Sequence, residues 1–126
     1  MKARALGKLE QSVMEVVWKN KNCLIREIVQ TLQKKRSIAY TTVATILQRL
    51  FIKGLVGRKT EKNGYWYFPK ISKDSYVKTL SKNFIKTLVN SFGDIAVSSF
   101  AESIENLPKE KKRYLLKILG RYESKH

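Results

Sequence analysis

The segment from Ala39 to Gly54 constrains this chain more than any other, because its pattern fits one helix with a sharp end. Its aliphatic residues recur at i, i+3, i+4 and i+7, the spacing that places side chains on one stripe of a helix. The stripe consists of Val43, Ile46, Leu47 and Leu50. On or beside the opposite face lie hydroxyl, amide and guanidinium groups instead of the Lys and Glu of a merely solvated surface: Thr41, Thr42, Thr45, Gln48 and Arg49.

A β-hairpin is predicted directly after this helix. Two strand-like runs, Leu55–Thr60 and Tyr65–Phe68, flank the dipeptide Asn63-Gly64. Asn-Gly is a strong hairpin signal, since a type I′ turn requires positive φ at both central residues. A polar-faced helix followed by a basic hairpin is the arrangement of a winged helix-turn-helix, in which the helix enters a DNA major groove and the hairpin lies on flanking phosphates.

Two sets of side chains are therefore candidates for DNA contact. The helix is expected to read base edges through Thr42, Thr45 and Arg49, with Thr41 and Gln48 beside them. Capping of the helix start is the structural alternative for Thr41. The hairpin is expected to hold phosphates, which position a protein without specifying sequence, through Arg58, Lys59 and Lys62. The aromatic run Tyr65–Phe68 is expected to pack and pair within the hairpin, with at least one ring facing inward.

Two further helices precede the polar-faced one, and together they give the first 70 residues a small self-sufficient core. The first helix carries the stripe Leu6, Leu9, Val13, Val16 and Val17, broadened by Met14 and Trp18. The second carries the stripe Ile25, Ile28, Val29 and Leu32. Cys23, the only cysteine, is interpreted as a small packing residue rather than a reactive thiol. Residues 1–70 are thus predicted to form a winged-helix DNA-binding domain.

Residues 71–126 show no strand signal and are predicted to form three amphipathic helices, so the chain as a whole is mainly α. The first helix runs from Ser72 to about Phe92; Gly93 ends it, Asp94 caps the second, and Pro108 opens the third. Because these helices have little core of their own, we expect their apolar faces to pair with a second copy, and folding back onto the first domain is the alternative. The expected dimer contacts are Leu80, Phe84, Leu88, Phe100, Leu115, Ile118 and Tyr122.

Composition favours a polyanionic partner. The formal net charge is +16 on 126 residues, and most of the excess lies in the first 70. Such charge speeds encounter with nucleic acid but carries no sequence information. No run resembles a signal peptide or a membrane span, so a cytoplasmic protein without membrane insertion is expected. One Cys, one His and no acidic or histidine cluster at ligand spacing argue against an enzyme, a metal site or a cofactor.

Several blocks of the sequence resemble the penicillinase repressors, the BlaI/MecI family of bacterial transcriptional regulators. The most specific block comprises Ala39–Val43, Arg49-Leu50, Lys53–Val56, Tyr67 and Pro69. The resemblance extends over nearly the whole chain, through Leu9-Glu10, Val13-Met14, Val17-Trp18, Val29–Leu32, Phe92–Asp94 and Ser99–Ala101.

This resemblance implies a dimeric repressor that binds a double-stranded operator of dyad symmetry through its N-terminal domain and dimerises through its C-terminal helices. In the family, a membrane-bound sensor protease responds to a β-lactam, which links these repressors to antibiotic resistance. The repressor is then cut before a Phe, and the corresponding bond here joins Ser99 and Phe100, with Ser99 in place of the Asn of the best-known members. The sequence has no C-terminal Cys-rich motif like that of the copper-responsive branch.

Other functions stay open at this point. A winged helix can also bind protein or RNA, or bind DNA without sequence preference as an architectural protein. The ratio of specific to non-specific affinity at fixed salt distinguishes these functions from an operator-binding repressor. A basic amphipathic helix on an anionic membrane is disfavoured, since the C-terminal stripes lack a dense one-sided Lys/Arg face.

Overall fold

The computed structural model describes residues 6–62 and 64–124, which form six α-helices, three strands and one 3₁₀ turn. In chain order these are α1 (Lys8–Asn20), β1 (Cys23–Leu24), α2 (Ile25–Gln33), α3 (Tyr40–Ile52), β2 (Val56–Glu61), β3 (Gly64–Pro69), α4 (Lys73–Phe92), α5 (Asp94–Ser103), the 3₁₀ turn (Ile104–Asn106) and α6 (Lys109–Ser124). The chain divides into two compact units, one ending at Lys82 and the other beginning at Asn83. The division falls inside α4, beyond the domain boundary expected between residues 70 and 71.

The core of the first unit is built from the apolar stripes of α1, α2 and α3. The stripe predicted for α3 is confirmed, because Val43, Leu47 and Leu50 have no exposed surface and Ile46 is 4% exposed. Leu9 was wrongly assigned to the buried stripe of α1. Its side chain is 37% exposed and lines a groove beside the polar side of α3, not its buried side.

A three-stranded antiparallel sheet of order β1-β3-β2 closes one side of this core. The β2–β3 hairpin confirms the prediction, whereas β1 was missed because two residues are too few to show an alternating pattern. In β1, Cys23 lies opposite Tyr67 and Leu24 opposite Trp66. Tyr67 is the ring that faces inward, with 3% of its surface exposed. Cys23 is fully buried as expected, and burial raises the pKa of its thiol to about 11, so the thiol is neutral near pH 7.

Two contacts of Trp18 pack the start of α4 against the other elements of the first unit. The indole N–H of Trp18 donates a hydrogen bond of 3.0 Å to the carbonyl oxygen of Ile71. The ring of Trp18 lies 5.7 Å from that of Tyr76, centroid to centroid, and Tyr76 is buried. Val77, the next residue along α4, is 46% exposed, so Tyr76 and not Val77 packs on the core at this point. Leu80, one helical turn beyond Tyr76, packs partly buried against the same core.

The second unit contains the C-terminal half of α4, α5, the 3₁₀ turn and α6. Gly93 ends α4 as predicted, with a φ of 61°, a region that favours glycine. Gly93 also occupies the N-cap position of α5, so the prediction that Asp94 is the cap was wrong. Asp94 is instead the first helical residue, where its negative charge still suits the helix N-terminus. Pro108 directly precedes α6, next to the position predicted for it.

Truncation of one buried and one exposed aliphatic residue of α3 tests this packing. Leu47→Ala should lower the free energy of unfolding by about 2–5 kcal/mol, because the side chain has no exposed surface and its loss leaves a cavity. Ile52→Ala on the same helix is the matched control and should change stability by less than about 0.5 kcal/mol, since Ile52 is 73% exposed. Urea unfolding monitored by circular dichroism measures both. Equal losses in the free energy of unfolding for the two variants would contradict the orientation described for α3.

Candidate DNA-binding surface

The polar side chains of α3 form an exposed face on the first unit. The structure brings all five predicted base-reading residues to the surface: Thr41, Thr42, Thr45, Gln48 and Arg49. The N-cap residue of α3 is Ala39, which has no capping side chain, so the capping alternative for Thr41 was wrong. The hydroxyl of Thr45 donates to the carbonyl oxygen of Thr41 at 2.9 Å. The hydroxyl hydrogen of Thr45 is thereby used within the helix, and its methyl group is the part suited to apolar contact with a thymine methyl.

A cluster that we call the Arg58 clamp joins α3 to the hairpin and consists of Gln48, Phe51, Arg58 and Tyr65. The Nη1 atom of Arg58 donates a hydrogen bond of 2.7 Å to the Oε1 atom of Gln48. The guanidinium carbon of Arg58 lies 4.0 Å from the ring centroid of Phe51 and 4.5 Å from that of Tyr65. Both distances are within the range of cation–π attraction. Phe51 belongs to α3 and Tyr65 to β3, so the sequence, which predicts a phosphate contact for Arg58, does not reveal these two ring partners.

The β2–β3 hairpin, residues 56–69, forms the wing of the fold. Lys59 and Lys62 are exposed on it, as predicted for residues that hold phosphates. The Nζ atom of Lys59 lies 5.8 Å from the ring centroid of Phe68. At the tip, Gly64 has a φ of 107°, as a tight turn requires, whereas Asn63 of the predicted Asn63-Gly64 turn lies outside the described residues.

A groove of about 510 Å³ runs between the start of α1 and the exposed face of α3. Its lining combines candidate base-reading residues with the first turn of α1: Gly7, Lys8, Leu9, Glu10, Thr42, Thr45, Ile46 and Arg49. The Nζ atom of Lys53, at the end of α3, lies 2.8 Å from a carboxylate oxygen of Glu10. The hydrogen bond from Lys53 is the main cause that holds the pKa of Glu10 below its ordinary value of 4.5, against an opposing effect of burial. This ion pair connects the end of α3 to α1.

The predicted dimer residues lie on α4, α5 and α6. Phe84, Phe100 and Tyr122 are more than half exposed. Leu88, Leu115 and Ile118 are half-buried, and Leu80 belongs to the first unit as described above. Within residues 83–124, which the structure describes in full, no side chain is buried. The second unit by itself therefore encloses no fully buried apolar side chain within its described residues.

The bond between Ser99 and Phe100 lies inside α5, with both residues exposed. The hydroxyl of Ser98 donates to the carbonyl oxygen of Ile95, and that of Ser103 to the carbonyl oxygen of Phe100. Such side-chain bonds compete with the helical backbone pattern and weaken a helix. A protease that requires an extended substrate would still have to unwind α5 before cutting it. Cleavage at this bond stays a prediction.

These observations define the class of the protein, a winged helix-turn-helix with a polar recognition helix, α3, and a basic wing. Across the described ranges, no three His, Cys, Asp or Glu side chains are placed to hold a metal ion. The same part of the chain includes no helix long and apolar enough to cross a bilayer.

Comparison with known proteins identifies the family. The model of the penicillinase repressor family matches residues 6–121, and the chain belongs to this family. It is 36% identical over 77 residues to the transcriptional regulator BlaI of Mycobacterium tuberculosis strain H37Rv, an alignment that covers 60% of this chain and 56% of that protein. It is 32% identical over 65 residues to a penicillinase repressor of Staphylococcus aureus, covering 52% of each. The chain thus spans about half the length of these curated relatives.

Solved structures of relatives share the fold of the first unit. The DNA-binding domain of the repressor BlaI in solution has a TM-score of 0.53 at 29% identity, covering 60% of this chain and 92% of that one. The monomeric form of Bacillus licheniformis BlaI in complex with the blaP half-operator has a TM-score of 0.50 at the same identity and coverage.

The Glu10–Lys53 pair can be tested by titration. Lys53→Met should raise the pKa of Glu10, because the substitution removes the hydrogen bond and the charge that hold it below 4.5. A carboxylate with a lowered pKa stabilises the fold above pH 4.5, and this stabilisation is lost as the pH falls through its folded-state pKa. NMR titration of the Glu10 carboxyl carbon measures the shift. Lys73→Met, which removes the partner of Glu15, is the control and should leave the Glu10 midpoint unchanged.

Proposed function

We propose that this chain is a DNA-binding transcriptional repressor that recognises a specific double-stranded operator. The observation that carries the proposal is the exposed hydroxyl, amide and guanidinium face of α3 beside a basic wing. Family membership supports it, since relatives are named as a transcriptional regulator and a penicillinase repressor, and one was solved on a half-operator. The family consists of regulators, so the activity that we propose is binding and not catalysis.

The contacts with DNA divide into base-reading and phosphate-holding groups. Arg49 is suited to bond a guanine edge with two parallel N–H donors, and the methyl groups of Thr42 and Thr45 to pack on thymine methyl groups. Thr41 and Gln48 flank them on the same exposed side of α3. Lys59 and Lys62 project from the wing with a positive charge that attracts phosphate without reading sequence.

Substitutions in the two groups should have different effects on binding. Arg49→Ala or Thr45→Ala should reduce the ratio of specific to non-specific affinity, each by about 1–3 kcal/mol, roughly five- to 150-fold. Lys59→Met should weaken binding to both duplexes equally and flatten the log–log salt dependence by about 0.9. Fluorescence anisotropy on a selected site and a scrambled duplex, over a range of salt concentrations, measures both effects. Lys117→Met on α6 is the control and should change neither.

The alternative functions predict different results in the same binding experiment. An architectural protein would bind the selected and scrambled duplexes alike, with or without Arg49. A module for RNA or protein would bind both duplexes weakly and only through charge.

We also propose that the second unit covers its apolar surface with a second copy of this chain. The support is physical, because none of residues 83–124 is buried although their helices carry large apolar side chains such as Phe84 and Phe100. An exposed apolar face of this kind is typical of an interaction site. Two recognition helices related by a two-fold axis would lie about 34 Å apart, or a multiple of this, so the operator should be a pseudo-palindrome.

A charge placed in this surface should disrupt the dimer. Ile118→Glu should raise the dimer dissociation constant roughly tenfold or more, because a carboxylate would have to leave water without a partner. Lys117→Glu, at the adjacent position of α6, is exposed and should have little effect. Sedimentation velocity at micromolar concentration distinguishes the two variants. A wild-type chain that sediments only as a monomer would exclude the proposed dimer.

A further inference from the structure

We propose that Arg58 orients the side-chain amide of Gln48, so that Gln48 presents N–H donors to the DNA and prefers guanine to adenine at its base pair. The inference rests on the proposed DNA-binding function and adds a base preference set by a contact between α3 and the wing. Arg58 is then a positioning residue that acts through Gln48.

The hydrogen bond between the two side chains determines which way the amide faces. Guanidinium carries donors and no acceptor, so the atom of Gln48 that meets Nη1 of Arg58 at 2.7 Å is the amide oxygen. The amide NH₂ group must then point away from Arg58. Gln48 is exposed on the polar side of α3, so this NH₂ group is available to a base edge.

The position of Arg58 is itself fixed by the two rings of the clamp. Phe51 follows Gln48 by three residues, so both lie on one side of α3. Arg58 is directly opposite Tyr67 in the hairpin, which makes Tyr65 its diagonal neighbour on the same face of the sheet. The guanidinium is within cation–π distance of both Phe51 and Tyr65. A planar guanidinium packs on aromatic faces in a way that a lysine ammonium does not reproduce.

This orientation changes what Gln48 can read. A glutamine recognises adenine with two bonds, one accepted by its oxygen from N6 and one donated by its nitrogen to N7. The oxygen of Gln48 is held toward Arg58 on the wing and away from a base edge, so the paired contact with adenine is disfavoured. Guanine presents two acceptors in the major groove, N7 and O6, and both suit an amide NH₂.

Selection from a randomised double-stranded DNA library, followed by sequencing, tests the proposal. Wild-type protein should select a site with guanine at one position whose preference disappears in Gln48→Ala. Arg58→Met keeps an unbranched apolar stem on the rings but removes the donor to Gln48. This substitution should lower the ratio of guanine to adenine at that position of the selected sites by about fivefold or more, the range of a single base contact. Lys59→Met, the neighbouring wing cation, is the control and should lower affinity without changing the base preference.

A second variant tests the same orientation with the Arg58 contact kept. In Gln48→Glu, one carboxylate oxygen remains on Arg58 and the other replaces the NH₂ group. The preference should change from an acceptor edge to a donor edge, the N4 amino group of cytosine or the N6 amino group of adenine. Circular dichroism confirms that each variant is folded before selection.

The outcomes separate this inference from the proposed function. If wild-type protein enriches no sequence, the proposed operator binding fails. If it enriches a site but Arg58→Met selects the same bases with only lower affinity and a flatter salt dependence, Arg58 is a phosphate contact and the inference is wrong. The inference is also wrong if Gln48→Glu keeps the guanine preference.

Discussion

Burial of the aliphatic stripe of α3 is the interaction on which the rest of the structure depends. Val43, Leu47 and Leu50 have no exposed surface and pack in one core with α1, α2 and the sheet. Removal of such side chains from water is the main favourable term in folding. Because residues three and four apart share a side of a helix, burial of this stripe fixes the rotation of α3 about its own axis. Its polar residues, Thr42 and Arg49 among them, are exposed as a consequence.

Polar contacts at two places then hold the recognition helix relative to its neighbours. The Glu10–Lys53 ion pair connects its C-terminal end to α1, and the Arg58 clamp connects it to the wing. An exposed ion pair such as Glu10–Lys53 contributes little to stability, so these contacts add to the core packing that already holds α3. A DNA-binding surface gains affinity when its side chains are preorganised, since less conformational entropy is then lost on binding. Through Arg58 the wing therefore also contacts a polar side chain of α3, in addition to carrying positive charge.

The two units bury their apolar side chains to different extents. The first unit buries a continuous set of side chains from α1 to Tyr76, whereas the described part of the second unit, residues 83–124, buries none. A domain this small has little interior to bury its apolar side chains, and in residues 83–124 none is buried. This difference is the physical reason for the proposed pairing of the second unit with a second copy of the chain.

The sequence by itself determined the helices, the hairpin and the polar face of α3, because each depends on periodicity or turn chemistry within a short segment. It could not determine contacts between distant segments. Strand β1, the burial of Tyr76 against Trp18 and the exposure of Leu9 were decided by packing partners remote in the chain. The side chains that we propose to contact DNA were named from the sequence, but the contact of Arg58 with Gln48 and its two rings was not. That contact exists only because folding brings the wing against α3.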